Sequence, residues 1–418
     1  MLFRYVAVLL MLLPAVPAAA ANLSGAITGG DFYARFRYRY EHVDDDLAPR
    51  NANASTLRSV IGYRSGEFAG FSVLLEGEQV SRIGGHYREY PGQPGNNRAV
   101  VADPDNTELS QGYLQYQINN NRLRVGRQII TYRDAPLHRF IGTVLWRQNW
   151  QTFDAVSLEN TSLEKTRLSY AWISNVNRIF GDNSPGALSH FNSNSHLFNF
   201  KYDRFDVANL EAYAYLLDFD NAPAASSETF GLRLDGKYPL SDWLTAVYAL
   251  EYAYQGDYGD NPAGYDAGYQ LVQGGIRVKL AGILETVTVK GSFERLGGNG
   301  RSAFQTPLGT NHAFQGTADR FLSTPADGIR DYHFTLNASL HGFKLAAAYH
   351  VLDSDEFDYR YGEEFDIQLT RKLGDHYSLG IKYADYDADR NAVSLARNGT
   401  GTVTADARKF WFFATASF

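Results

Sequence analysis

The feature that most constrains this chain is an alternation of apolar and polar side chains over runs of about ten residues. The run Phe32–Glu41 is the clearest example, and one of its faces carries Phe32, Ala34, Phe36, Tyr38 and Tyr40. The other face is polar and includes three arginines. Because successive side chains of an extended strand point to opposite sides, this run predicts a β-strand with one apolar and one polar face.

Similar runs recur along the whole chain. Alternation of the same kind is found in Leu244–Tyr254, Val287–Arg295, Tyr332–Leu340, Phe343–Val351, Tyr377–Tyr383 and Phe410–Phe418. We count about 18 such segments, each near the ~9–11 residues that a tilted strand needs to cross a membrane. No helical period competes with them over a comparable length, and the aromatic share of 14% suits strands.

Short and long connections alternate between these segments. The tight connections are Ser65-Gly66, Asn119–Asn121, Asp203-Arg204, Leu240–Asp242, Ala281-Gly282, His341-Gly342 and Gly374-Asp375. The long polar connections are Arg82–Asn106, Asn175–Asn194, Gly256–Asp266, Gly297–Arg330 and Asp389–Thr402. A soluble β-sandwich has no reason to alternate in this way, whereas outer-membrane barrels have short periplasmic turns and long outer loops.

The pattern therefore predicts an all-β fold, a single closed antiparallel transmembrane β-barrel of about 18 strands. At about 22 residues per strand and connection, such a barrel uses residues 22–418 almost completely. No length remains for a second domain. A soluble β protein is the alternative, and the two ends of the chain argue against it.

Both ends indicate export to the outer membrane of a Gram-negative cell. Met1–Ala21 has the form of a signal peptide, with Arg4 before an apolar stretch and small residues before a cleavage site between Ala21 and Asn22. The last strand ends on Phe418, which we interpret as the assembly signal that the barrel-assembly machinery recognises. The other expected partners there are outer-membrane lipid and lipopolysaccharide.

Composition excludes several other classes of protein. The mean hydropathy of −0.33 and the absence of a long apolar run after residue 21 exclude a helical membrane protein. The chain has no cysteine, so an exported fold cannot depend on disulfides. Removal of the signal peptide changes the formal net charge from −7 to −8, and without a basic tract we expect no nucleic-acid partner.

Arginines gather on the polar faces of the first strands. Arg35, Arg37 and Arg39 share one face, and later strands add Arg58, Arg64, Arg122 and Arg124, with Arg127 on the opposite parity. A charge that faces lipid near the midplane costs ~2–4 kcal/mol, so these faces are expected to line a water-filled lumen. Rows of arginine in a narrow pore favour anions, because they raise the local concentration of counter-ions.

Lumen arginines have a second interpretation, in which they brace the barrel by pairing with lumen acids. The available acids are Glu76, Glu78, Glu294, Glu364 and Asp366. For any single arginine both interpretations stay open. For the row Arg35, Arg37 and Arg39 we favour anion conduction, because only Glu41 lies beside three like charges.

No catalytic signature accompanies this pattern. The sequence lacks Gly-x-Ser-x-Gly, His-Glu-x-x-His, Walker and dinucleotide-binding motifs, and its histidines have no metal-ligand spacing. We therefore expect no enzyme activity, no cofactor and no metal site. Asp44–Asp46 could hold Ca²⁺ at the cell surface, but a solvated acidic loop is the simpler interpretation.

One region contains sequence motifs that the strand periodicity alone does not explain. It contains Leu123–Gln128, Arg139–Gly142, Trp146–Asn149 and Gln151–Ala155. Together with Arg35–Glu41 and Leu57-Arg58, this region resembles the alginate-export family of outer-membrane barrels, from about Phe32 to Phe418 and most clearly in the first half. The resemblance implies an eighteen-stranded monomeric barrel with an electropositive, arginine-rich constriction for an acidic polysaccharide or another anion.

The resemblance also implies particular site residues. The candidates for the anion pathway are Arg35, Arg37, Arg39, Arg58, Arg124, Arg127, Arg139 and Arg147. A pore-loop motif folded against the mouth or wall of the pore would consist of Trp146, Gln148, Asn149, Phe153 and Asp154. For Trp146 and Phe153, ordinary packing is an equally good interpretation.

Polymer exporters of this kind tend to carry an extended periplasmic turn as a lid, whereas every candidate turn here is short, including Lys372–His376. We therefore expect a passive channel for anionic solutes, which could include an acidic polysaccharide or oligosaccharide such as alginate. The alternatives are a surface adhesin or receptor that uses Gly297–Arg330 and, less favoured, an outer-membrane barrel hydrolase.

Overall fold

The structure is a computed structural model that describes residues 22–203, 205–282, 284–390 and 403–418. The predicted signal peptide Met1–Ala21 lies outside the described residues, as does most of the predicted connection Asp389–Thr402. No helix in the described part of the chain is both long and apolar enough to cross a membrane.

The described residues form one sheet of eighteen antiparallel strands. In chain order the strands are β1 Asp31–Asp45, β2 Ala52–Arg64, β3 Phe71–His86, β4 Asn106–Ile118, β5 Asn121–Gln128, β6 Thr152–Asn160, β7 Thr166–Asn177, β8 His190–Tyr202, β9 Ala208–Leu217, β10 Ser227–Pro239, β11 Leu244–Asp257, β12 Asp266–Lys279, β13 Leu284–Leu296, β14 Ile329–Leu340, β15 Phe343–Asp353, β16 Arg360–Leu373, β17 Tyr377–Ala388 and β18 Ala407–Ser417.

The helical elements are short. Helix α1 Leu23–Thr28 precedes the barrel, and the Asn22 side chain caps it by accepting a hydrogen bond from the Gly25 N–H at 2.6 Å. Single 3₁₀ turns lie in three loops, at Gly186–Leu188, Pro223–Ala225 and Asn311–Ala313.

The sheet closes on itself because the first strand pairs with the last. Arg35 lies opposite Ser417 in the β1–β18 ladder, and Ala34 and Phe418 exchange two backbone hydrogen bonds of 3.0 and 2.9 Å. Closure satisfies every strand edge, which a bilayer core without water requires. The predicted fold class, a closed eighteen-stranded barrel, is confirmed, and each predicted strand segment lies within an observed strand or overlaps one.

The two ends of the barrel differ in their connections. At one end the connections are turns, of which 65–70 is the longest, and we call this the turn end. At the other end most connections are long, including 87–105, 129–151, 178–189 and 297–328, although 46–51 and 354–359 are short. In known outer-membrane barrels the turn end faces the periplasm.

Apolar side chains face outward and most charged ones face inward. Phe32, Ile61 and Phe334 are 78%, 65% and 66% exposed on the outer surface, where a bilayer would cover them. Arg39, Arg58 and Glu76 are buried on the inner face of the first three strands. The alternation in sequence therefore separates a lipid-facing surface from a charged interior.

Candidate functional site

Two long loops fold into the barrel and meet inside it. They are the β5–β6 loop, residues 129–151, and the β13–β14 loop, residues 297–328. Gly142 N–H donates to Leu308 O at 2.8 Å, and Thr310 N–H donates to His138 O at 2.8 Å. We call the region where these loops meet each other and the wall the neck, because it divides the lumen into an outer and an inner cavity.

The β5–β6 loop is held by arginines of β1. Arg37 donates to Gln148 Oε1 at 2.7 Å and to Leu145 O at 2.8 Å, and its third donor nitrogen bonds Arg147 O. Arg39 is 1% exposed and bonds Trp146 O and the carboxylate of Asp103. Two arginines of the expected anion row therefore fasten a loop to the wall in this conformation, and their part in an anion path stays a prediction.

Asp103 completes this attachment from the β3–β4 loop. Its carboxylate accepts a hydrogen bond from the Gln148 N–H at 2.8 Å as well as from Arg39. Burial alone would raise the pKa of Asp103, but Arg39 and Arg147 outweigh burial and lower it. Asp103 is therefore ionised at neutral pH and neutralises part of the arginine row.

The pore-loop residues divide between two elements. Trp146, Gln148 and Asn149 do belong to the inward β5–β6 loop, and Trp146 stacks on His312 at 4.7 Å between ring centroids. Phe153 and Asp154 instead lie in strand β6, so their expected place in the loop is wrong. Strand pairing with β5 continues to Gln128 opposite Phe153, and Phe153 packs fully buried in the main apolar cluster.

The β13–β14 loop is held by carboxylates of β16, which lies three strands from β1 around the barrel. The Ala318 N–H donates to Glu364 Oε1 at 2.6 Å, and the Thr317 N–H donates to Asp366 Oδ2 at 3.3 Å. Gly316 has φ +84° and lies so close to the Glu364 carboxylate that a side chain there would collide with it. Carboxylates of β16 thus bind N–H groups of one loop, whereas arginines of β1 bind carbonyls of the other loop.

Asp319 joins the two loops and the wall. Its carboxylate contacts Arg147 of the β5–β6 loop at 2.9 Å, Lys409 of β18 at 2.8 Å and His312 at 2.6 Å. Burial opposes its ionisation, but the hydrogen bond from His312 and the charges of Lys409 and Arg147 outweigh burial and hold the pKa of Asp319 well below its usual range. We call Asp319 and these three partners the junction.

His312 is the neutral member of the junction. Burial lowers the pKa of His312 well below its usual range. The neutral ring donates from Nδ1 to Asp319 and accepts at Nε2 from Lys382 Nζ at 2.8 Å. This arrangement satisfies both ring nitrogens without a positive charge.

Three further candidate arginines have their own partners. Arg58 donates to Glu78 Oε2 at 2.7 Å and lies 3.7 Å from the Trp150 ring centroid, and Arg139 lies 3.1 Å from Glu294. Arg127 pairs with Asp154 at 2.7 Å and donates to Leu109 O, and Leu109 is an exposed residue. Arg127 has the parity opposite to Gln128, which lines the lumen. Arg127 therefore does not lie in the lumen, where we expected it. The contacts of Arg58 and Arg139 are the bracing arrangement that the sequence left open.

The cavity at the turn end, below the neck, is different. It has a volume of about 720 Å³, and we call it the vestibule. Its charged lining consists of two carboxylates, Glu76 and Glu159, and six cationic side chains, Arg35, Arg64, Arg122, Arg124, Arg167 and Lys201. The side chains that line the vestibule therefore carry a formal excess of four positive charges.

Several of these cations have no counter-charge. Arg35 pairs with Glu76, and Arg122 and Arg167 share Glu159 at 2.7 and 3.8 Å. Across the described residues, no carboxylate forms a salt bridge with Arg64, Arg124 or Lys201. Arg124 donates to Gln115 Oε1 at 2.8 Å and lies 4.9 Å from the Tyr113 ring centroid. Because neither Gln115 nor the Tyr113 ring carries a negative charge, these contacts do not cancel the charge of Arg124.

The outer cavity lies among the long loops and has a volume of about 980 Å³. Arg178 lines it, donates to Ala187 O at 2.5 Å and lies 4.2 Å from the Phe191 ring centroid. Burial lowers the pKa of Arg178 to about 10, so it keeps its charge at neutral pH. A solute entering from the loop side would meet this cation before it reached the neck.

Sequence reasoning missed several residues that the structure brings together. Asp103, His312 and Asp319 lie in loops without periodicity, so no pattern identified them. Lys201 could have been found, because it has the same parity in β8 as the lumen-lining Asn199. The loop predicted for an adhesin, Gly297–Arg330, lies largely inside the barrel rather than projecting from it.

Comparison with known proteins supports the same architecture. OccAB2 of Acinetobacter baumannii has a TM-score of 0.71 and 14% identity, over 94% of this chain and 99% of its own. OpdK of Pseudomonas aeruginosa, solved with vanillate, has a TM-score of 0.68 and 13% identity, over 94% of this chain and 100% of its own. OccD3 (OpdP) of the same species has a TM-score of 0.67 and 13% identity, over 98% of this chain and 95% of its own. No curated protein sequence matches the chain.

The closed barrel, the inward loops and the charged lumen define a channel protein of the outer membrane, the porin class of β-barrels. The sequence pattern of the family described as alginate export matches residues 30–280, which is more than half of the chain. This chain therefore belongs to the alginate export family, as its arginine-rich motifs predicted.

Proposed function

We propose that the protein is a passive, anion-selective diffusion channel whose selectivity arises in the vestibule. The observation that carries the proposal is the excess of cations there, with Arg64, Arg124 and Lys201 unpaired by carboxylates. Uncompensated charge in a water-filled, low-dielectric enclosure raises the local concentration of the opposite ion. Paired arginines such as Arg58 contribute little to this field, because their carboxylates cancel it.

The chemistry of these side chains favours carboxylates. A guanidinium presents paired N–H donors that match the two oxygens of a carboxylate, and Arg64 and Arg124 can supply them. An interaction of about 1 kcal/mol per contact in water raises occupancy roughly fivefold and still lets the ion leave. Several weak contacts in sequence therefore suit passive transport better than one tight site.

The proposed solutes are small organic anions and short acidic oligosaccharides, including oligomers of alginate. The neck favours short solutes, because a polymer can cross it only if the β5–β6 and β13–β14 loops separate. The short connections at the turn end offer no extended lid of the kind expected in a polymer exporter. OpdK, which shares the fold, was solved with vanillate, itself a carboxylate.

The test is the reversal potential of the purified protein in planar bilayers under a KCl gradient. We expect anion selectivity, and we expect it to fall as KCl rises toward 1 M, where the screening length shrinks to about 3 Å. Cation selectivity, or no conductance, would overturn the proposal.

A charge-removing variant locates the selectivity. Replacing Arg64, Arg124 and Lys201 together by Gln should shift the reversal potential toward zero. The matched control replaces Lys165, Lys237 and Lys279 by Gln, because these are exposed cations at the same end of the barrel that do not line the vestibule. Equal shifts in both variants would remove the vestibule from the proposal.

A further inference from the structure

A compact group of metal-ligating side chains lies on the inner face of β14 and β15, away from the vestibule. It consists of Asp331 and His333 on β14 and His350 on β15. His333 and His350 are directly opposite each other in the strand register, and Asp331 shares the face of His333 two residues earlier. Two strands of the rigid wall, rather than a loop, therefore position all three groups.

The three side chains converge on one point. The Nδ1 atoms of His333 and His350 lie 3.1 and 3.0 Å from the same oxygen, Oδ2 of Asp331. One ligand atom from each residue lies within 4.8 Å of the other two. Ligands of a zinc ion stand about 2.0–2.2 Å from it, so an ion between these atoms needs only small side-chain shifts.

The surroundings distinguish this carboxylate from the wall acids that pair with arginine. Glu76, Glu78 and Glu251 pair with arginine, whereas Asp331 is completely buried and its only salt-bridge partners among the described residues are the two imidazoles. A buried carboxylate that is ionised needs a cation or hydrogen-bond donors around it. Two neutral imidazoles and a carboxylate supply a cation site for a divalent transition metal.

The outer contacts also suit a metal. His350 Nε2, the ring nitrogen that does not face Asp331, lies 3.8 Å from Asp366 Oδ2. In many metal sites a carboxylate in this position orients the histidine ring. The His333 side chain is 12% exposed, so water from the lumen can reach the group as a fourth ligand.

We propose that Asp331, His333 and His350 form a site for one divalent transition-metal ion of the Zn²⁺ type in the wall of the barrel. The competing occupant is a proton shared between the imidazoles and Asp331. The spacing of the residues did not predict the site, because its ligands come from two strands. Sixteen residues lie between His333 and His350. The proposal does not depend on anion selectivity.

The test is equilibrium dialysis of the full-length, chelator-treated protein in detergent against ZnCl₂. We expect one ion per chain, and His333→Ala should weaken binding at least about tenfold. His86→Ala is the control, because His86 is exposed at the end of β3, and it should bind Zn²⁺ as the parent does. Heat-modifiable migration on gels checks that each variant forms the barrel.

A spectroscopic measurement gives a second readout. Co²⁺ bound by two imidazoles and a carboxylate should produce visible absorption bands that Zn²⁺ displaces and His350→Gln abolishes. Absence of stoichiometric Zn²⁺ binding to the parent protein would overturn the site and leave the shared proton as its explanation. Equal binding by the parent and His333→Ala would overturn it as well.

Discussion

The neck and the vestibule use cationic side chains in opposite ways. In the neck, Arg37, Arg39 and Arg147 each bind loop carbonyls or carboxylates. In the vestibule, Arg124 and Lys201 have no carboxylate partner among the described residues. The comparison teaches that the number of arginines in a lumen does not define an anion path. In the proposed channel, the cations that lack a counter-charge define it.

Burial explains the difference between the two regions. Arg39 and Arg147 are 1% and 6% exposed, and an unpaired charge so deeply buried would cost several kcal/mol. Arg64 is exposed at the turn end, where water solvates an unpaired charge. The neck therefore uses its charges to hold loops, and the vestibule leaves its charges available to solutes.

The largest expected effect comes from the junction. Asp319→Asn removes the charge that Arg147 and Lys409 share, and leaving buried cations without this partner costs about 3–5 kcal/mol. We expect the two loops to separate and the single-channel conductance in planar bilayers to increase. Asp358→Asn, which alters an exposed aspartate of an outer loop, should leave conductance unchanged. An unaltered conductance in Asp319→Asn would show that the junction does not hold the neck.

A second substitution separates loop anchoring from selectivity. Arg39→Met leaves Asp103 buried without its nearest cation, at a cost of about 3 kcal/mol. We expect more frequent gating transitions in single-channel records, because the β5–β6 loop loses one of its attachments, whereas those to Arg37 remain. The reversal potential should stay at the parent value. A shift as large as that of the vestibule variant would place selectivity in the neck and abolish the distinction between the two regions.

The smallest expected effect is a pH dependence confined to the neck. Because the pKa of His312 is lowered in the closed neck, a separated loop binds a proton more readily, and acidification below about pH 6.5 favours separation. Uptake of one proton can change the free energy of loop separation by at most about 1.4 kcal/mol per pH unit. The pKa of Asp319 is also lowered, so its contribution is present above about pH 3.8 and is lost at lower pH.

Conductance should therefore increase below about pH 6.5. His312→Gln retains polar contacts but removes the titrating group, and its conductance should stay flat down to about pH 4. A parent channel that closes on acidification would contradict this sign.

Part of the site could be identified from sequence. Arginine parity placed Arg35 and Arg124 in the lumen, and both line the vestibule. The family motif placed Trp146 and Gln148 in an inward loop, where they lie. The functional difference between Arg37 and Arg124 could not be predicted, because it depends on whether a loop reaches each side chain.

The alternation in Phe32–Glu41 is a local property of the chain, and with the similar runs after it this property was enough to predict the barrel and its two surfaces. Which charges are neutralised depends instead on contacts between residues far apart in the chain. Arg39 meets Asp103 from 64 residues away, and Arg147 meets Asp319 from 172 residues away. Such pairs depend on where irregular loops come to lie after the barrel has closed, and no periodic pattern in the chain specifies that.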